Sequence, residues 1–341
     1  MLAFITGVAG PALTADERQF VREAQPWGLI VFKRNVENPA GLKALIEDFR
    51  AAVGWQAPVL VDQEGGRVQR LGPPHWPSYP PGAAYGLLYD QDKKRALAAA
   101  TLGANLMAAD LAAVGIDTDC LPIADVPVAG ADPVIGDRAY GAEPAKVAAI
   151  AAAVAAGLLR GGVLPVLKHI PGHGRATADS HAKLPVVGAD QATLEATDFA
   201  AFRPLKALPL GMTAHVVFSA IDPVAPATTS VTIVRDVIRD SIGFSGLLMS
   251  DDISMGALSG SIGERTKAAI AAGCDIVLHC NGKMNEMLAV AADVPALAGA
   301  ASRRADAALT LRRPTAPLDV ALRRSEFFTL MAGTAPAPGS A

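Results

Sequence analysis

A (β/α)8 barrel is the fold this sequence predicts, and three observations predict it. Short apolar, strand-like runs alternate with longer helical stretches along the 341 residues, which reads as parallel β/α units. No Gly-x-Gly-x-x-Gly turn follows the first strand, which argues against the doubly wound dinucleotide-binding alternative. Charged and histidine side chains stand at the ends of otherwise apolar runs, where a parallel barrel gathers them at one mouth.

The elements follow in order. Ala3-Phe-Ile-Thr6 is a first strand, and Thr14 is a helix N-cap before Ala15 to Glu23. Gly28-Leu-Ile-Val-Phe32 and Pro58-Val-Leu-Val-Asp62 are the second and third strands, separated by a helix from Pro39 to Ala52. A helix from Lys93 to Val114 leads into a broken fourth strand, Ile116 to Val126. Then come a helix from Pro144 to Leu159, a strand from Val163 to Lys168 and a helix from Ala192 to Ala207. Leu210 to Phe218, a helix from Val231 to Ser241 opened by Ser230, and Gly246 to Ser250 continue the alternation. A helix from Glu264 to Ala272 and the strand Asp275-Ile-Val-Leu-His279 complete eight units. No linker interrupts the chain before about Pro314, so residues 1–333 are expected to form one domain, with a helical segment from Leu318 to Met331. Residues 334–341, rich in Ala and Pro, are expected to be a disordered tail.

Composition narrows the function classes. Apolar residues are 51% of the chain and charged residues 18%, enough to bury a large core. A net charge of −3 offers no basic footprint for nucleic acid. The start, Met1-Leu-Ala-Phe-Ile-Thr-Gly, lacks the basic and long apolar regions of a signal peptide. The most membrane-like run, Ala148 to Leu159, is too short to span a bilayer and ends at Arg160. Cys120, Cys274 and Cys280 have neither a disulfide framework nor a zinc spacing. A cytoplasmic protein without membrane or nucleic-acid partners is the simplest expectation.

The chemistry concentrates at the strand ends. Asp62 opens Gln63-Glu-Gly-Gly-Arg-Val-Gln-Arg70, Lys168-His169 closes another strand, and His215 follows a third. Asp251-Asp252 and His279-Cys280-Asn281 close the last two. Three of the six histidines, His169, His173 and His181, fall within thirteen residues that run from the end of the fifth strand through a Pro/Gly-rich loop. Asp251 or Asp252 is a carboxylate suited to nucleophilic attack or metal binding, and adjacent strand residues face opposite ways, so one of the two points inward. His181, two residues after Asp179, is a candidate proton donor oriented by a carboxylate. Arg67, Arg70, Arg138 and Lys168 can bind hydroxyls or anions. Trp27, Trp55 and Trp76 could stack on a sugar but read more simply as core. Three classes fit: a glycosidase with a carboxylate nucleophile, a metal-dependent barrel hydrolase with His169, His173 and His181 as ligands, and a sugar-binding barrel without activity.

Four segments narrow this choice. Lys168-His-Ile-Pro-Gly-His-Gly174 with Asp179-Ser-His181 resembles the signature of the glycoside hydrolase family 3 β-N-acetylhexosaminidases. Val61-Asp-Gln-Glu-Gly-Gly-Arg-Val-Gln-Arg70 resembles that family's substrate loop, and Val134-Ile-Gly-Asp-Arg138 with Ala-Tyr-Gly141 its second basic contact. Phe244-Ser-Gly-Leu-Leu-Met-Ser-Asp-Asp-Ile-Ser-Met255 resembles its nucleophile strand, and the similarity runs in order from about Gly28 to Cys280. The resemblance implies that Asp251 is the nucleophile, His181 the general acid/base and Asp179 its partner. It implies that Asp62, Arg70, Arg138, Lys168 and His169 bind N-acetylglucosamine. The implied reaction is retaining removal of terminal β-linked N-acetylglucosamine from muropeptide fragments in peptidoglycan recycling, by a monomeric cytoplasmic enzyme without metal or cofactor. A phosphorolytic family variant is the alternative. Gln63 stands where members often carry His, and Asp252 where related β-glucosidases carry an aromatic residue. Gly172 and Gly174 are expected to hinge the histidine loop, leaving His181 far from Asp251 in the empty protein.

Overall fold

The computed structural model describes residues 1–313 and 318–334. Eight parallel strands close a barrel in chain order: β1 (Leu2–Thr6), β2 (Pro26–Val31), β3 (Val59–Val61), β4 (Thr118–Asp119), β5 (Leu164–Ile170), β6 (Leu210–Thr213), β7 (Leu247–Asp252) and β8 (Ile276–His279). The ring shuts where Phe4 pairs with Val277 and Thr6 with His279. Each of the eight expected strands is present, and their buried Val, Ile and Leu side chains fit strands covered on both faces. The broken fourth strand is short for a physical reason. Pro122 has no N–H to donate to the ladder. Pairing resumes only at the bridge between Ile123 and Lys168.

Helices cover the barrel: α1 (Ala15–Ala24), α2 (Pro39–Val53), α3 (Gly82–Gln91), α4 (Lys93–Ala112), α5 (Pro144–Arg160), α6 (Gln191–Ala196), α7 (Asp198–Phe202), α8 (Ile262–Ala272), α9 (Met284–Asp293), α10 (Gly299–Leu309) and α11 (Val320–Met331). Thr14 caps α1 as expected: its Oγ1 accepts the Glu17 N–H at 3.1 Å, and Glu17 accepts the Thr14 N–H at 2.9 Å. Ser230 Oγ likewise accepts the Ile233 N–H, opening a π-helical turn run, Ile233–Ser241. The helix expected over Ala192 to Ala207 is instead α6, α7 and a 3-10 turn. Pro204, which has no N–H to donate, lies within that turn, Arg203–Leu205. Sequence periodicity missed α3, α9 and α10, which follow loops rather than clear capping signals: Pro81, Lys283 and Ala298 at their starts make no side-chain cap.

The alanine-rich α5 is explained by packing. A Cβ on Gly157 would stand 2.3 Å from the Thr101 carbonyl oxygen of α4, so small residues let the two helices meet at backbone distance. Among the described residues no helix is long and apolar enough to cross a membrane. The expected C-terminal helix is α11, which lies on α4. Phe327 is buried there, Arg324 donates to Asp110, and the Tyr79 hydroxyl donates to the same carboxylate at 2.6 Å. The expected tail, 334–341, lies outside the described residues except Thr334, whose hydroxyl is buried and donates to the Met331 carbonyl.

Two alanine substitutions separate these packing effects. Gly157→Ala gains helix propensity but forces α4 and α5 apart, and overpacking prevails. Urea unfolding is expected to show a loss of about 1–3 kcal/mol. Gly188→Ala, where an added Cβ meets nothing within 4 Å, should stay within about 0.5 kcal/mol of the parent.

Candidate active site

The strand ends converge as the barrel requires. A cavity of about 430 Å³ opens at their C-terminal mouth, within the usual size for a small ligand. Asp62, Arg70, Arg138, Lys168, His169, Asp179, His181 and Asp251 all line it, so the eight residues the resemblance pointed to are brought together, whereas the strand-end residues His215 and His279 are buried and do not line it. None of the three tryptophans does. Trp27 and Trp76 are buried elsewhere, and Trp55 packs against the core.

One wall is an ion network. Lys168, at the end of β5 and almost fully buried, donates to Asp62 Oδ1 at 2.9 Å and sits 2.7 Å from Glu64 Oε1. Arg70 donates to Asp62 Oδ2 at 2.8 Å, and Arg138 grips both Glu64 oxygens at 2.8 Å. Burial opposes the Asp62 charge, but Lys168 and Arg70 outweigh it and hold the carboxyl far below its ordinary range. Glu64 is held down in the same way, against burial, by Lys168 and Arg138. Burial also opposes the charge on Lys168, yet the two carboxylates raise its pKa above the ordinary lysine value. Glu64 was missed by sequence reasoning, although its position two residues after Asp62 suggested a shared strand face.

A second carboxylate absent from the expected set organises the next strand end. Asp125, fully buried, meets His169 Nδ1 at 2.7 Å and accepts the His173 N–H at 2.7 Å. That contact leaves the His169 Nε2 edge for the cavity. The signal for Asp125 was a charge inside the apolar run from Ile116 to Val126, which burial tolerates only with partners.

The adjacent aspartates of β7 divide by their hydrogen bonds. Asp252 is committed: Oδ1 accepts from the Ser254 and Cys280 N–H groups at 3.0 and 3.1 Å, and Oδ2 accepts the Ser254 hydroxyl at 2.7 Å. Among the described residues Asp251 accepts only the Asp252 N–H, at 2.7 Å, which leaves most of its lone-pair capacity uncommitted at the cavity wall. Burial would raise the Asp251 pKa, but His215, His169, the Asp252 N–H and His181 together lower it and favour the carboxylate. His215, fully buried, bridges the Thr228 hydroxyl at 2.7 Å and the Asp252 carbonyl at 3.0 Å and supports this strand end. Arg67 ties Asp137 and the carbonyls of Pro133 and Val134, fixing the segment that carries Arg138.

The histidine loop departs from expectation. Its first part is immobilised. Residues 171–174 are buried, and a Cβ on Gly174 would fall 2.1 Å from the Val126 carbonyl oxygen, so Gly174 is there for close approach. Only Gly172 has the positive φ, 140°, expected of a hinge. The loop tip is docked over the cavity, because Gly256 donates to the His181 carbonyl at 3.1 Å and Ala257 to that of Ser180 at 3.2 Å. His181 therefore lines the same cavity as Asp251 rather than lying far from it. Asp179 Oδ1 accepts both the His181 N–H, at 2.9 Å, and contacts its Nδ1 at 2.7 Å, with the imidazole largely exposed. Partial burial works against the Asp179 charge, but these contacts outweigh it and keep the group below its ordinary value. The three loop histidines do not converge as metal ligands: each has a separate partner, Asp125, Ser180 and Asp179.

A closed β/α barrel whose cavity is lined by both an uncommitted carboxylate and a carboxylate-oriented histidine fits the glycoside hydrolase class. Residues 3–310 match the family described as glycosyl hydrolase family 3 N terminal domain. A beta-hexosaminidase of Bordetella avium is 39% identical over 278 residues, covering 80% of this chain and 79% of the relative. One from Methylobacillus flagellatus is 38% identical over 288 residues, covering 83% and 82%. The solved structure of NagZ from Neisseria gonorrhoeae in complex with N-trifluoroacetyl-D-glucosamine superposes with a TM-score of 0.86 at 31% identity, over 97% of this chain and 98% of that one. The chain belongs to glycosyl hydrolase family 3 and is an enzyme of the β-hexosaminidase kind.

The ion network carries a pH signature. Asp62 and Glu64 have folded pKa values below their unfolded ones, so their stabilisation is complete above the ordinary carboxylate range and is lost as pH falls below it. Lys168→Met leaves two buried carboxylates short of a cation and should cost about 3–5 kcal/mol at neutral pH. Urea unfolding measured downward from pH 7 should fall more steeply for the parent than for this variant.

Proposed function

We propose that this enzyme is a retaining exo-β-N-acetylglucosaminidase acting through a covalent glycosyl-enzyme. The observation that carries the reading is the uncommitted Asp251 carboxylate sharing one cavity with the Asp179–His181 pair. In the first step protonated His181 gives its proton to the glycosidic oxygen while Asp251 attacks the anomeric carbon. The bond to the leaving alcohol breaks as the Asp251–sugar ester forms. In the second step His181, now neutral, takes a proton from water as that water attacks the same carbon, and Asp251 leaves as a carboxylate. Two inversions give net retention. Retaining enzymes ordinarily pair two carboxyl groups. A histidine with a reference pKa of about 6.5 can serve both proton transfers near neutral pH, and Asp179 stabilises the imidazolium and fixes its ring.

Asp62, Arg70, Arg138, Lys168 and His169 then hold the N-acetylglucosamine. Their ion pairs fix donors and acceptors before the sugar arrives, so little ordering cost falls on binding. The bound N-trifluoroacetyl-D-glucosamine of the gonococcal structure supports this sugar class. We extend the reading to muropeptide fragments ending in N-acetylglucosamine, cleaved by a cytoplasmic monomer during peptidoglycan recycling, without metal or cofactor.

Release of nitrophenol from p-nitrophenyl N-acetyl-β-D-glucosaminide tests the reaction. Asp251→Ala should lower the rate by more than about a thousandfold. Trapping with a slow fluorinated substrate should place the mass label on Asp251, and a label on Asp252 would overturn the assignment. Activity should persist in EDTA; zinc-restorable loss would revive a metal-dependent hydrolase. Turnover should be the same with and without phosphate, since acceleration would identify a phosphorylase.

A further inference from the structure

We infer that His173 and Ser180 form a buried latch that positions the Asp179–His181 pair over Asp251. Neither residue belongs to the set assigned above to sugar or proton transfer. His173 Nε2 and Ser180 Oγ lie 2.9 Å apart, with both residues nearly inaccessible to solvent. This contact spans the loop, joining its anchored base to its tip. At the base, the His173 N–H is held by Asp125, the carboxylate that also engages His169. At the tip, Ser180 separates Asp179 from His181 in the chain, so fixing its side chain inward fixes where the two neighbours project. The Ser180 carbonyl accepts from Ala257, just beyond the strand end that carries Asp251. The tip is thus tied by one side-chain bond to the loop base just after β5 and by backbone bonds to the turn after β7.

The chemistry of the contact suits a positional role. Burial and the neighbouring His169 push the His173 pKa down to about 4, so its ring is neutral through the pH range in which His181 must exchange protons. His173 therefore neither competes with His181 for a proton nor repels it. Its other ring nitrogen, Nδ1, is buried without a hydrogen-bond partner. Such an atom costs stability, and its retention here fits a ring kept for the bond it makes at Nε2. His169 packs edge-on against the ring at 5.7 Å, so the sugar-facing histidine and the latch share one wall.

This inference rests on the proposed role of His181 as proton donor, and the test separates the two. A misplaced acid matters only when the leaving group needs protonation, and kcat/KM reports the step in which that group departs. Ser180→Ala should lower kcat/KM roughly 10- to 100-fold for a methoxyphenyl N-acetylglucosaminide, with little change for the dinitrophenyl analogue, whose leaving group departs unaided. His173→Leu should show the same split, and the double variant should lose no more than the worse single one. His173→Gln, which keeps an amide near the Nε2 position, should recover part of the loss. Equal losses on both substrates, additive losses, or no loss would overturn the latch. Should Ser180→Ala fail to fold by thermal unfolding, His173→Leu carries the comparison. His181→Ala supplies the control: a steep leaving-group dependence there with a flat Ser180→Ala sinks the latch alone. A flat His181→Ala sinks the proton-donor reading and the latch with it.

Discussion

The site depends on one buried ammonium. Lys168 enters the barrel mouth from β5 and is held between Asp62 and Glu64, which leave the end of β3. An unpaired lysine at this depth would lose its proton or unfold the strand end, and two unpaired carboxylates would repel each other. With Arg70 and Arg138 added, the five side chains pair through their charges and become a polar wall. Both arginines that line the cavity on this side are referenced to this wall. The loops bearing Arg70 and Arg138 are long and irregular, and ion pairs to Asp62 and Glu64 fix where they end.

The opposite half of the cavity is arranged by hydrogen bonding rather than by charge balance. Asp125 orients His169 and pins the start of the histidine loop. Asp252 spends both oxygens on its own turn and on Cys280, which frees Asp251 to keep its lone pairs toward the cavity. Adjacent carboxylates thus acquire different duties from geometry alone. The loop tip with Asp179 and His181 rests on the turn after β7, and its exposed imidazole lines the cavity. The cavity combines a charged wall fixed by ion pairs with an Asp–His pair on a loop, a common division between scaffold and loop.

Much of this was legible in the chain. The eight strands read correctly because each is a short apolar run, and runs buried on both faces need no alternation to be seen. The helices that were missed have weak starts. The α3 helix follows Pro81 and α10 follows Ala298, neither of which offers a side-chain cap to recognise. Asp62, Lys168, His169, Asp251 and the loop residues stood out because polar groups at apolar strand ends are costly unless used. Glu64, Asp125 and Ser180 did not. Each acts through a partner distant in sequence, Lys168, His169 and His173 respectively, or in the case of Ser180 hides between two more conspicuous residues.

By itself, the sequence determined the barrel, because apolar runs and helical periodicity carry that information locally, and it named most of the ionisable groups at the mouth; the family followed from the resemblance of four segments. Strand periodicity left the Asp251–Asp252 pair open and the resemblance pointed to Asp251; the tertiary structure supplies the physical reason, hydrogen bonds that commit Asp252 to Ser254 and Cys280 across two strand ends. It also decided the position of the histidine loop. The glycines there suggested mobility, but one is a close contact against Val126 and the loop tip is held by backbone bonds to residues 256 and 257. A glycine's freedom is a property of the residue; whether the chain uses it for motion or for packing depends on what lies within a few ångströms.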